Sequence, residues 1–162
     1  MSDARPPEGD QLPPGRTARS AKGSPLDDAH IFHVDQIRQI PRGGGVVTTP
    51  LATPFTAPGT KFTTGMSVYP VGKGAPLHVH NCDEQVTLLE GTGEVEIEGQ
   101  VTPLKQYDST YIPGNRVHAF RNTGDVPMRI LWIYASTHVT RTFEGSSEEV
   151  EHLSAKDMMV RE

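Results

Sequence analysis

The stretch GKGAPLHVHNCDEQVTLLEG, residues 72–91, decides how the rest of the chain is read. His78-Val79-His80 has the look of a short strand. Residues two apart on a strand face the same way, so the two imidazoles stand side by side. Asn81-Cys82-Asp83 forms a turn-like interval, and Glu84 opens the next run. There Glu84, Val86 and Leu88 alternate with Gln85, Thr87 and Leu89, which places the carboxylate on the same face as two apolar side chains. A lone charge aimed at a core needs a partner. A metal held by the two histidines would be one.

A further group comes from residues 108–122. Pro113-Gly114-Asn115 marks a turn, and His118 follows on the same face as Phe120. Three imidazoles and one carboxylate make a mixed nitrogen and oxygen set suited to a divalent first-row transition metal. A polar strand face explains a His-x-His pair equally well, and on the residues alone both readings stand.

Outward from this stretch the texture is uniform. Short β-type runs occur at 31–34, 46–49, 61–69, 77–80, 85–89, 94–98, 109–112, 117–121, 128–135 and 139–143, separated by Gly, Pro, Asn or Asp. Strands at this regular short spacing predict an all-β sandwich or barrel. In residues 94–98 the alternation is strict, with three glutamates toward water. In residues 128–135 both faces are largely apolar, so that strand is expected to be covered on both sides. A second subunit is one such cover, and a homodimer is expected.

Residues 1–28 hold five prolines and three glycines and few large apolar side chains. They cannot bury enough surface to offset ordering entropy, and a disordered tail is expected. Residues 146–162 read as an acidic C-terminal tail with a short helix over 154–159, a surface cap or frayed end. The barrel domain lies between, over 29–145.

Composition excludes several function classes. The formal charge is −5, from 15 Lys and Arg against 20 Asp and Glu, the wrong sign for a phosphate-backbone binder. No apolar run reaches the roughly 18 residues of a membrane span. One cysteine, Cys82, cannot form an internal disulfide. The N-terminus shows no apolar signal core. A cytoplasmic protein acting on a small molecule fits best, with no nucleic acid and no membrane as partner.

Two segments carry a family resemblance. Gly72-x5-His78-x-His80-x3-Glu84-x6-Gly91 resembles the first cupin motif at every defined position. Asp108-x4-Pro113-x-Asn115-x2-His118-x3-Asn122 resembles the second. Tyr107 and Asn115 stand where that second motif has glycine. Asparagine tolerates positive φ, so its turn should survive, whereas Tyr107 implies a different entry to its strand.

The resemblance implies a double-stranded β-helix (jelly-roll) barrel of two antiparallel sheets with a metal near one mouth. By carry-over the ligands are His78, His80, Glu84 and His118. It implies one divalent transition metal per chain, with Fe(II) favoured and Mn, Ni, Co or Zn as alternatives. It also implies a metal-dependent enzyme, with dioxygenase-type oxidation leading. A non-redox isomerase, lyase, cyclase or decarboxylase is the alternative, and a metal-containing binding or sensor protein is a third. Fold cannot choose among these.

Strand parity proposes the pocket. Phe62, Met66, Val86, Phe120 and Trp132 are the expected substrate contacts, with Val68 and Leu88 on the same faces. Such an apolar list suits a small apolar or aromatic substrate. Glu84 and Tyr134 are the expected catalytic groups, Tyr134 as a proton donor. Arg121 and Arg129 fall on outer faces. Cys82 reads as a bystander, and His30, His33, His138 and His152 as surface or loop residues.

Overall fold

A computed structural model describes residues 29–159. It contains two antiparallel six-stranded sheets and no α-helix among the described residues. The first sheet has the order β1 (Ile40–Pro41), β2 (Val47–Pro50), β3 (Thr63–Tyr69), β10 (Met128–Tyr134), β5 (Glu84–Glu90), β8 (Ser109–Ile112). The second runs β12 (Glu149–Glu151), β11 (Thr140–Phe143), β4 (His78–His80), β9 (His118–Asn122), β6 (Gly93–Ile97), β7 (Gln100–Leu104). The inner faces enclose a core built on Val86, Leu88, Val95, Phe120, Ile130 and Trp132. This is the jelly-roll barrel expected from the sequence. No helix of the described residues is long and apolar enough to cross a membrane.

Strand β10 follows its alternation. Met128, Ile130, Trp132 and Tyr134 are buried, and Leu131 and Ile133 lie half-buried on the outer face. Strand β3 does not follow the expected parity. Phe62, Thr64, Met66 and Val68 were the expected inner set, yet Thr63, Gly65, Ser67 and Tyr69 face the core. A one-residue change of parity exchanges every side chain between faces. The cause is Trp132, directly opposite Gly65 on the neighbouring strand. A Cβ at Gly65 would lie 2.4 Å from the indole, so only glycine fits there. Ser67 accepts the Trp132 Nε1–H at 3.0 Å, and the Thr63 hydroxyl donates to the Ser136 carbonyl at 2.7 Å. The polar side chains of β3 face inward because each has a partner there.

Other boundaries also differ from expectation. Residues 31–34 form no strand; a 3₁₀ turn occupies Val34–Gln36, and Ile31 is exposed. Strand β7 lies at a sheet edge with most of its residues exposed, so it lacks the alternation that marks a strand with one buried face. Glu98 belongs to a two-residue turn with Gly99, both at positive φ, the geometry of a tight β-hairpin. Glu94 and Glu96 reach water but also clamp Arg121, at 2.9 and 2.7 Å. Arg121 and Arg129 are outside, as expected, and Arg129 pairs with Glu90.

The C-terminal segment is neither helical nor a frayed end over its described part. It adds β12 to the second sheet, turns at Leu153, and buries Asp157 and Met159. Residues 1–28, the expected disordered tail, lie outside the described residues.

Tyr107 and Asn115 both adopt the left-handed backbone that glycine favours, at φ 72° and 62°. Tyr107 therefore takes the backbone region that glycine favours despite its Cβ. The Lys105–Asp108 turn holds its shape through Asp108 N–H to Lys105 O at 3.0 Å and Tyr107 N–H to Leu88 O at 2.7 Å. A left-handed residue with a Cβ costs roughly 1–2 kcal/mol. Tyr107 is exposed, so its side chain contributes little packing to offset that strain. Tyr107→Gly is therefore expected to raise stability by up to about 1 kcal/mol, read as an upward shift of the denaturant midpoint at unchanged m-value.

Candidate metal centre

Strands β4, β5 and β9 deliver the histidines and Glu84 to one place. Strand β4 holds His78 and His80, both facing in, and β9 places His118 directly opposite His78. The turn ahead of β9 fixes that register. Asn115 N–H donates to the His80 carbonyl at 2.8 Å, and Gly114 N–H donates to the Asp83 carboxylate at 2.9 Å. A ligand-type nitrogen of each histidine lies within 4.8 Å of the others. All three rings and Glu84 are buried.

The tautomers follow from the backbone. His78 Nδ1 lies 2.6 Å from the Pro76 carbonyl, His80 Nδ1 2.8 Å from the Thr140 carbonyl, and His118 Nδ1 2.8 Å from the Arg116 carbonyl. A carbonyl only accepts, so each Nδ1 carries a hydrogen; His78 and His80 turn their Nε2 lone pairs inward, and His118 turns its Nε2 toward Glu84. His78 Nε2 and His80 Nε2 stand 3.1 Å apart. Burial holds His78 well below its ordinary pKa and lowers His80 to about 3, so neither ring takes up a second proton near neutrality. Two lone pairs facing each other at that distance call for a shared cation. Imidazoles oriented through Nδ1–H bonds to carbonyls are the usual support for metal binding through Nε2. The residues therefore fit a divalent metal.

Glu84 Oε2 lies 2.9 Å from His118 Nε2, which brings the carboxylate to the edge of the histidine cluster. Burial alone would raise its pKa. The contact with His118, the nearby His80 and the Tyr134 hydroxyl outweigh that and hold it at about 2. The Tyr134 hydroxyl is 3.2 Å from His80 Nε2 and, being buried, stays protonated well above its ordinary pKa. It is the donor in that contact.

His78 and Glu84 border a chamber of about 20 Å³, room for roughly one water molecule. Of the expected substrate contacts, Phe120 and Trp132 line it, as does Tyr134. Phe62 and Met66 do not, because of the parity of β3; Phe62 is exposed and Met66 half-buried. Val86 is buried in the core beside Glu84 and does not reach the chamber wall. Cys82 is a half-buried thiol pushed up to about 11 by burial, hence poorly nucleophilic, in keeping with a bystander.

Four chamber or support residues escaped sequence reasoning: Arg42, Arg141, Asp157 and His152. His152, expected at the surface, packs its ring 4.9 Å from Tyr134 and 5.0 Å from Trp132. Arg42 and Arg141 both pair with the fully buried Asp157, at 2.6 and 2.5 Å. Arg141 had a legible signal: it alternates with Val139 and Phe143, which marks an inward face. Arg42 and Asp157 had none, since their partner lies 115 positions away.

The buried rings carry a pH dependence. An unfolded chain protonates histidine below about pH 6.5, whereas the folded protein keeps His80 neutral to about pH 3 and His78 is also depressed. More protons bound in the unfolded state means stability rises with pH, so it falls on acidification. Glu84 adds the same sign between its ordinary pKa and about 2. The metal-free protein is expected to lose at most about 1.4 kcal/mol per pH unit per histidine below pH 6.5. Thermal melts from pH 8 to 4 check this; a flat profile would mean the rings are solvated.

Comparison with known proteins agrees with this geometry. The family model described as Cupin domain matches residues 65–134. An uncharacterised protein of Methanocaldococcus jannaschii is 31% identical over 60% of this chain and 78% of its own length. Polyketide synthase CurC of Streptomyces cyaneus is 31% identical over 63% of this chain and 66% of its own. The 5-nitrosalicylic acid 1,2-dioxygenase of a Bradyrhizobium species is 41% identical over 33% of this chain, which spans only 26% of that protein. Among solved structures, the polyketide cyclase RemF of Streptomyces resistomycificus superposes with a TM-score of 0.60 at 13% identity, over 79% of this chain and 88% of that one.

Proposed function

Since the chain belongs to the cupin superfamily, we propose that it is a metal-dependent enzyme that activates an oxygen-bearing small organic substrate for a non-redox reaction, such as cyclisation, isomerisation, elimination or decarboxylation. The observation that carries the reading is the convergence of three Nε2 atoms, each ring held by an Nδ1–H bond to a carbonyl. A divalent metal held by His78, His80, His118 and Glu84 supplies Lewis-acid polarisation of a substrate oxygen. Tyr134 keeps its proton at neutral pH and points its hydroxyl at the ligand cluster. A protonated phenol there donates a hydrogen bond to oxygen on which negative charge develops. Phe120 and Trp132 exclude water and strengthen that bond.

Two things favour non-redox chemistry. The buried proton donor suits enolate stabilisation, and the polyketide-associated relatives align over most of their lengths. Dioxygen-dependent oxidation at an Fe(II) centre is the second reading, favoured by the partial match to a dioxygenase.

Metal analysis of protein purified without added metal, followed by dioxygen-uptake assays, separates the two. The panel is diketones, catechols, flavonols and poly-β-ketones. The expected result is conversion without dioxygen consumption and a product at the oxidation level of the substrate. Stoichiometric uptake with iron-loaded protein would overturn it in favour of the second reading.

A further inference from the structure

The chamber wall carries a charge that its own residues do not balance. Arg42 is fully committed: Nε donates to the Asp157 carbonyl at 2.9 Å, one terminal nitrogen donates to Thr48 Oγ1 at 3.2 Å, and the other donates to Asp157 Oδ2 at 2.6 Å. Asp157 in turn accepts from Arg42, from Arg141 at 2.5 Å and from Leu153 N–H at 2.8 Å. That leaves two guanidinium groups against one carboxylate. Arg141 is the unbalanced one. Its side chain is 3% exposed, yet its Nε–H is the buried side-chain polar atom without a hydrogen-bond partner among the described residues. An unpaired buried donor on a charged group is costly unless a ligand meets it.

Position sharpens the point. Arg141 sits directly opposite His80 on the neighbouring strand, and it lines the chamber together with His78 and Glu84. Glu84, the other acid there, faces His118. With a divalent metal on the histidines and Glu84, the chamber would hold a net positive charge. A small anionic group reaching both the metal side and Arg141 removes that excess.

We propose that Arg141 is a specificity-determining residue whose unpaired Nε–H receives a substrate carboxylate, so that this site takes small organic acids. The inference rests on the reading of the histidines as a metal centre. The chamber has room for about one water-sized group, so it takes a single carboxylate oxygen and not a whole substrate. His152 lies in the wall of the chamber and also of an outer groove of about 660 Å³. That groove is lined by apolar residues such as Ile40, Pro50, Phe55 and Val139. One carboxylate oxygen enters the chamber to meet Arg141 and the apolar remainder of the acid lies toward the groove, past the His152 ring that both share.

Calorimetric titration of the metal-loaded protein tests this, with benzoate and phenylpyruvate against benzamide and phenylpyruvamide. Quenching of Trp132, the sole tryptophan, gives a second readout. The acids are expected to bind at least about tenfold more tightly than the amides. Arg141→Met leaves the Arg42–Asp157 pair intact and should lose most of that preference while keeping its metal. Equal affinity for acids and amides in the wild type would overturn the proposal, whether or not Arg141→Met folds. So would an Arg141→Met protein that retains the wild-type preference. Metal content is measured separately: protein that binds no metal overturns the metal-centre reading instead.

Discussion

Asp157→Ala is expected to lower stability by about 3–5 kcal/mol, among the largest effects of any single substitution in this chain. Asp157 is fully buried and accepts from two guanidinium groups that are themselves 2% and 3% exposed. Removing it leaves two like charges together in a low-dielectric interior, where neither can be deprotonated. The loss is also topological. Asp157 ties Arg42, ahead of β2, to Arg141 on β11, and so holds the C-terminal segment across the chamber. The Met159 N–H to Arg42 carbonyl bond at 2.7 Å belongs to the same closure. For a chain of this size the melting temperature should fall by about 10 °C or more. A shift below about 2 °C would mean that the guanidinium groups find water once Asp157 is gone.

His118→Ala is expected to abolish metal binding, with content falling from about one ion per chain to below about a tenth by elemental analysis. His118 Nε2 contacts Glu84 and stands within 4.8 Å of the other ring nitrogens, so its loss removes a donor and releases the carboxylate that joins the set. Stability provides an independent readout. A ligand that binds only the folded state adds about 4 kcal/mol at a thousand times its dissociation constant. A chelator should therefore lower the wild-type melting temperature by several degrees and leave that of His118→Ala unchanged. Unchanged metal content in His118→Ala would remove the site assignment.

Much of the centre was legible because its residues follow local rules. His78 and His80 share a face by strand parity alone, and the resemblance to the second cupin motif adds His118, which the structure sets opposite His78. Residues 128–135 declared their inner set by alternation, and Trp132 and Tyr134 lie where that predicts. Strand β3 shows where such reasoning stops. Its apolar parity pointed to Phe62, Met66 and Val68, and its small and polar parity faces the core. Period-2 alternation says that two faces differ; it does not say which one the opposite sheet covers. That choice was made by Trp132, whose indole needs Gly65 across from it.

By itself the sequence determined an all-β sandwich or barrel, the positions of most strands and the shared face of His78 and His80, since these depend on neighbours a few residues apart; the barrel and the full set with Glu84 and His118 came from the resemblance to the cupin motifs. Tertiary structure alone decided the inner face of β3, the closure of the C-terminal segment and the Arg42–Asp157–Arg141 cluster. A buried charge is tolerated only where a distant partner meets it, and spacing along the chain carries no record of that meeting.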